Sequence, residues 1–184
     1  MLKKSLALLF FIFIEDGYGM FVGMDKVVQI DKFTGKCPEF KYLPIVYQTM
    51  SISPNLEGEL LMNTTIIVNE DISGPLRAEM KIERCEKKGD HCELLHTIKH
   101  RRYCDMIQSD TDLTWKQFFQ AIEPKWKCPF KKGTYKAVNA AFDISSFLLM
   151  AGDQSYWKIR SETFDSTTDK TVLCIIGEAH VYSA

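Results

Sequence analysis

The sequence predicts an all-β protein: an antiparallel β-sandwich or β-cup with an apolar cavity and one short helix, stabilised by disulfides. Three observations predict it. Apolar and polar residues alternate with a period of two over most of the chain, the mark of strands with one face buried and one face wet. Helical patterning is confined to one short segment, so the strands are not separated by the helices that a parallel sheet needs. Six cysteines, Cys37, Cys85, Cys92, Cys104, Cys128 and Cys174, form an even set in a chain that begins like an exported one.

At the N-terminus, Lys3 and Lys4 precede the apolar run Leu6 to Ile14, and Gly17-Tyr18-Gly19 places small residues before Met20. The run is about half the roughly 20 residues of a membrane span, so residues 1–19 are expected to be a signal peptide and 20–184 the mature domain. The acids Glu15 and Asp16 are an unusual feature of this region. The expected location is extracellular, with a lysosomal lumen as the alternative. An oxidising compartment favours cysteine pairing over reactive thiolates, but six cysteines allow many connectivities and the sequence alone leaves the pairing open. The 23 basic and 24 acidic side chains give a net charge of −1, with lysines scattered among acids. No concentrated basic face is present to meet phosphates, which argues against nucleic acid as a partner.

Strands are expected at residues 26–32 and 45–53. Leu60, Met62, Thr64, Ile66 and Val68 then form one apolar face, with Asn63 and Thr65 pointing the other way. Asn63 opens the sequon Asn63-Thr64-Thr65, so a glycan there would lie on the wet face. Over residues 76–84, Leu76, Ala78, Met80 and Ile82 alternate with Arg77, Glu79, Lys81 and Glu83. The helix is expected to start after a cap at Asp110 or Thr111, to carry Trp115, Phe118, Phe119 and Ile122 on one stripe, and to end before Pro124. Strands are expected again at 134–142, 156–164 and 171–182, the last two joined through the polar turn Asp165 to Lys170. In the last strand Leu173, Ile175, Gly177, Ala179 and Val181 share a face. Between the strands at 134–142 and 156–164, Phe142, Ile144, Phe147, Leu148, Leu149 and Met150 crowd one connection, which ends at Gly152-Asp153. Connections are normally polar, so this one either plugs the core or forms the lip of an opening toward lipid or an apolar ligand.

Catalytic and metal chemistry find little support. Cys85, Cys92, His96 and His100 follow one another in the order of a zinc site, but the two cysteines stand too far apart and have a disulfide as an alternative. No G-x-S-x-G elbow is present, and adjacent acids such as Glu70-Asp71 would point to opposite faces of a strand rather than flank one bond. No enzyme, metal or cofactor is therefore expected.

Cys128-Pro129-Phe130-Lys131-Lys132-Gly133-Thr134-Tyr135, then the apolar connection, then Tyr156-Trp157-Lys158-Ile159-Arg160-Ser161-Glu162, then Leu173-Cys174-Ile175-Ile176, resembles the ganglioside-activator branch of the ML lipid-recognition proteins. Upstream, the sequon followed by Gly74-Pro75-Leu76-Arg77, and the step from Cys85 to Cys92, fit the same pattern. Within that branch the chain is most similar to the insect CheB chemosensory family. The resemblance implies a β-cup opened between its sheets to hold an acyl chain, with disulfides Cys37–Cys174, Cys85–Cys92 and Cys104–Cys128. It implies that Cys128 anchors a corner, with Lys132-Gly133 as the turn into a strand. Lys131 and Lys132 are then a solvated turn or a contact for anionic headgroups at a membrane surface. A fourth bridge of the activators is missing, and the segment with Trp115, Phe118 and Phe119 stands in its place.

The expected function is a secreted, non-enzymatic binding protein for a hydrophobic ligand, a lipid or long-chain hydrocarbon, serving gustatory or pheromone perception together with a chemosensory receptor. The alternative is a glycolipid-transfer activator for a lysosomal hydrolase. Phe118, Phe119, Phe147, Leu148, Leu149, Met150 and Trp157 are the expected ligand contacts at the cavity and its mouth.

Overall fold

The structure, a computed structural model, describes residues 20–23, 26–55, 59–88, 90–109, 113–142 and 154–183. The strands are β1 (Met20–Gly23), β2 (Lys26–Thr34), β3 (Ile45–Pro54), β4 (Leu60–Val68), β5 (Leu76–Lys87), β6 (Asp90–His100), β7 (Ile122–Glu123), β8 (Gly133–Phe142), β9 (Ser155–Asp165) and β10 (Thr171–Ser183). Between β6 and β7 lie two short helices, α1 (Tyr103–Gln108) and α2 (Leu113–Gln120). The strands form two antiparallel sheets, a six-stranded one in the order β1-β2-β10-β9-β5-β6 and a four-stranded one in the order β3-β4-β8-β7.

The alternation that predicted strands also sets their faces. In β4, Leu60, Met62, Thr64, Ile66 and Val68 are all buried, while the residues between them are half-buried. Thr64 is the one polar member of that inner row, and its hydroxyl donates to the Thr49 carbonyl at 2.8 Å, beside an irregularity in the β3–β4 ladder. In β5 the charged residues face out and form a lattice with β9 and β6: Lys158 meets Glu83 at 3.6 Å and Lys99 meets Glu79 at 3.2 Å. The chain passes from the large sheet to the small one at Gly35, which bridges to Tyr47. A Cβ at Gly35 would lie 2.1 Å from the Tyr47 carbonyl oxygen, so this crossing requires glycine.

Three disulfides, Cys37–Cys174, Cys85–Cys92 and Cys104–Cys128, tie the chain together with no cysteine left free. Three disulfides indicate an oxidising, extracellular-type compartment. Cys85 and Cys92 are bonded to each other across the β5–β6 hairpin, which takes both from any zinc site. Among the described residues no helix is long and apolar enough to cross a membrane.

The stretch from Cys128 to Tyr135 is a pinned corner. Cys128 is held by Cys104, Phe130 is fully buried and exchanges backbone hydrogen bonds with Ile72 at 2.9 and 3.0 Å, and Trp126 packs on Phe130 with ring centroids 4.3 Å apart. Asp71 closes the corner by accepting from the Lys131 ammonium and the Lys132 backbone N–H, each at 2.8 Å.

Two expectations about the helical region need correction. There are two helices rather than one, because Cys104 and the buried Tyr103 and Ile107 hold a six-residue helix too short to show a period in the sequence. Ile122 is not on the helical stripe: α2 stops at Gln120, and Ile122 pairs with Ala137 as the start of β7. The expected cap residues Asp110 and Thr111 lie outside the described residues, as does the side chain of Trp115.

Candidate ligand site between the sheets

The register of the large sheet defines its inner face. Ile82 stands opposite Ile159 on one side and His96 on the other; Met80 stands between Ser161 and Ile98; Ala78 stands between Thr163 and His100. The small sheet does not cover this whole face. Its β3 packs near β2 and β10, while α1 packs on β5. The result is uneven burial along one inner row: Leu76 is buried at the α1 end, whereas Ala78, Met80, Ile98, Ile159 and Ser161 are only partly buried.

Besides a small cluster of Cys37, Leu43, Cys174 and Ile176, the buried apolar residues divide into two larger clusters. The larger joins Tyr47, Ile66, Leu76, Tyr103, Phe118 and Trp126, among others, from the small sheet, the helices and the near end of β5. The smaller joins Val28, Leu60, Ile82, Trp157 and Val181, with the partly buried Ile30, Met80, Ile98 and Ala179 at its margin. Ile52 touches both. A domain of this size has one contiguous core with smaller satellites, and along β5 the boundary between the two falls between Ala78 and Met80.

Among the described residues the buried polar side chains are Thr64, Ser155 and Thr163, none of them charged. The Trp157 indole N–H donates to the Ser155 hydroxyl at 2.7 Å, fixing the ring. Burial pushes the Tyr103 hydroxyl up to about 12, with the nearby Trp126 indole acting weakly in the opposite direction, and burial also raises Tyr47 well above the ordinary tyrosine range. Both phenols are therefore neutral across the physiological range. The ion pairs lie on the outer faces, so the space between the sheets suits an uncharged guest.

The expected contact residues are distributed as follows. Trp157, 4% exposed, faces inward in the smaller cluster. Phe118, 3% exposed, belongs to the larger cluster, and Phe119 packs edge-on against it at 5.4 Å while lining an external groove. The structure thus separates Trp157 from the two phenylalanines. Phe147, Leu148, Leu149 and Met150 lie outside the described residues. The described chain stops at Phe142, opposite Leu60, and resumes before Ser155, opposite Val181, and Leu60 and Val181 are both in the Trp157 cluster. Asn63 is on the outer face of β4, and its side-chain oxygen accepts the Asn139 N–H at 2.9 Å.

Sequence reasoning missed Ile98 and Ile159 as part of the site. The signal for Ile159 was present, since it shares a parity with Trp157; Ile98 was hidden in a strand that polar residues dominate. No known family model matches the sequence, and no curated protein shows significant similarity to it.

Proposed function

We propose that the protein is a secreted, non-enzymatic binding protein that shelters a hydrophobic ligand, a lipid or long-chain hydrocarbon, between its two sheets. One observation carries this reading: Met80, Ile98 and Ile159 face inward on the large sheet yet are only partly buried, leaving an apolar surface that the chain's described residues do not cover. Removing a methylene from water contributes about 0.8 kcal/mol, so an 18-carbon chain contributes on the order of 10 kcal/mol before ordering costs. No catalytic group is needed for that. The role in chemosensory perception, together with a receptor, rests on the overall similarity of the chain to the CheB family.

The test is native mass spectrometry of the disulfide-bonded protein after secretion from eukaryotic cells, with solvent extraction and identification of what is released. The expected result is an apolar ligand that co-purifies, or that exchanges with an added long-chain hydrocarbon or lipid. Absence of any ligand, together with failure to take one up, overturns the proposal. Extraction of glycolipid from vesicles that strengthens in acid and stimulates a hydrolase would instead identify a glycolipid activator.

A further inference from the structure

Apart from the space between the sheets, the molecule has an external groove of about 1390 Å³ between α2, the segment that follows it and the outer face of β8. Phe119, Ala121 and Val138 form its accessible apolar floor; Val138 is 68% exposed, an unusual position for a valine in the middle of a strand. Lys116 on α2, Lys125 and Lys127 on the segment after β7, and Lys136 on β8 stand around it. One carboxylate, Glu123, lines the groove with them and lies directly across from Lys136 in the β7–β8 pair. Among the described residues, Lys125, Lys127 and Lys136 are in no ion pair, in contrast to Lys131, which is held by Asp71.

We infer that this groove binds a single-chain anionic amphiphile, a long-chain carboxylate or an alkyl phosphate, with the tail on the Phe119–Val138 floor and the head among the lysines. Lysines from three elements line one groove with an apolar strip, which complements a ligand that is charged at one end and apolar along its length. The volume exceeds the roughly 300–1,000 Å³ of small-molecule pockets and is open on one side, as an extended chain requires. A flat bilayer cannot reach the floor of a concave site. The groove's lining includes none of Met80, Ile98 and Ile159, which carry the proposed interior site.

The experiment is a ¹H–¹⁵N titration of the disulfide-bonded protein with laurate and with dodecyl phosphate, each below micelle formation, and with dodecanol as the neutral arm. The expected result is saturable shifts at the amides of Phe119, Val138 and residues 125–127 with the anionic probes, and none there with dodecanol. Saturation by laurate alone assigns a carboxylate head, by dodecyl phosphate alone a phosphate head. The triple variant Lys125→Gln/Lys127→Gln/Lys136→Gln is expected to weaken anionic binding by about tenfold or more, as loss of charge-assisted bonds does. Its spectrum without ligand reports whether it folds, and Lys125→Gln/Lys127→Gln serves as the milder variant. Dodecanol shifts at Met80 and Ile98 report the interior site independently, so failure of one site leaves the other measurable. Equal groove shifts with dodecanol, no saturation, or a response only to anionic vesicles overturns the inference.

Discussion

Gly35 and Asp71 show how much single residues decide. Gly35 leaves no room for a side chain against Tyr47, so Gly35→Ala must push the crossing strand aside; the expected loss is about 1–3 kcal/mol in urea unfolding, the range for overpacking a tight site. A neutral result would mean that the crossing is looser than described. Asp71 is held below the ordinary carboxylate range first by the Lys131 ammonium and then by the Lys132 N–H. A depressed folded value means that the unfolded chain takes up the proton more readily, so this carboxylate stabilises the fold above its unfolded value and the benefit is lost as pH falls through the folded one. Asp71→Asn is therefore expected to lower Tm at pH 7, with the gap to the unmodified protein closing below about pH 4. A gap that stays constant down to about pH 2 contradicts the pairing. At this scale the sequence was informative where parity alone decides, as at Thr64 and Asn63, and silent where a contact comes from a distant segment. Nothing near Lys131 in the chain announces that Asp71 will hold it.

Among the elements, β4 and β5 were the most legible, because β4 keeps one inner row buried over nine residues and β5 alternates apolar with charged residues from Leu76 to Glu83, whereas β10 buries Val172, Leu173 and Cys174 in succession. β6 was not legible, and its residues explain why. It is an edge strand paired on one side only, with an irregularity opposite Ile82 and Glu83, and Leu94 and Leu95 are both exposed beside it. Two adjacent leucines mark neither face, and the remaining residues are mostly polar, as edge strands tend to be. Of its inner positions, His96 and His100 were accordingly read in the sequence only as components of a metal pattern, and Ile98 was not read at all. The helical region depends on Cys104–Cys128, which closes a separation of 24 residues. Replacing both cysteines by serine is expected to cost about 3 kcal/mol by the loop-entropy estimate and to broaden the signals of α1 and α2 before those of the sheets. Uniform destabilisation with unchanged helix signals would contradict that local role. On β4, Asn63 keeps its nitrogen for a glycan while its oxygen holds the Asn139 N–H. Secreted protein is expected to lose mass on glycosidase treatment, and Asn63→Gln to abolish that loss; an unchanged mass contradicts use of the sequon.

For the whole molecule, the layout was legible from alternation and cysteine count, whereas the extent to which one layer covers the other was not. Periodicity tells which face of a strand is inward but not whether another layer covers it. Ala78, Met80 and Ile82 have the same pattern in the sequence as Leu76, yet only Leu76 and Ile82 become buried. What separates them is the width of the small sheet and the place where α1 ends, both products of tertiary packing. The disulfide between Cys37 and Cys174 spans 137 residues and contributes about 5 kcal/mol in the chain-entropy estimate. In the proposed arrangement that offsets part of the packing lost between two separated layers.

The most direct measurement of that separation is a crystal structure of the secreted, disulfide-bonded protein with its natural contents retained. Elongated apolar density in contact with Met80, Ile98, Ile159 and Trp157 is the predicted result. An interior closed by the protein's own side chains, with Met80 and Ile98 fully buried against them, would contradict it.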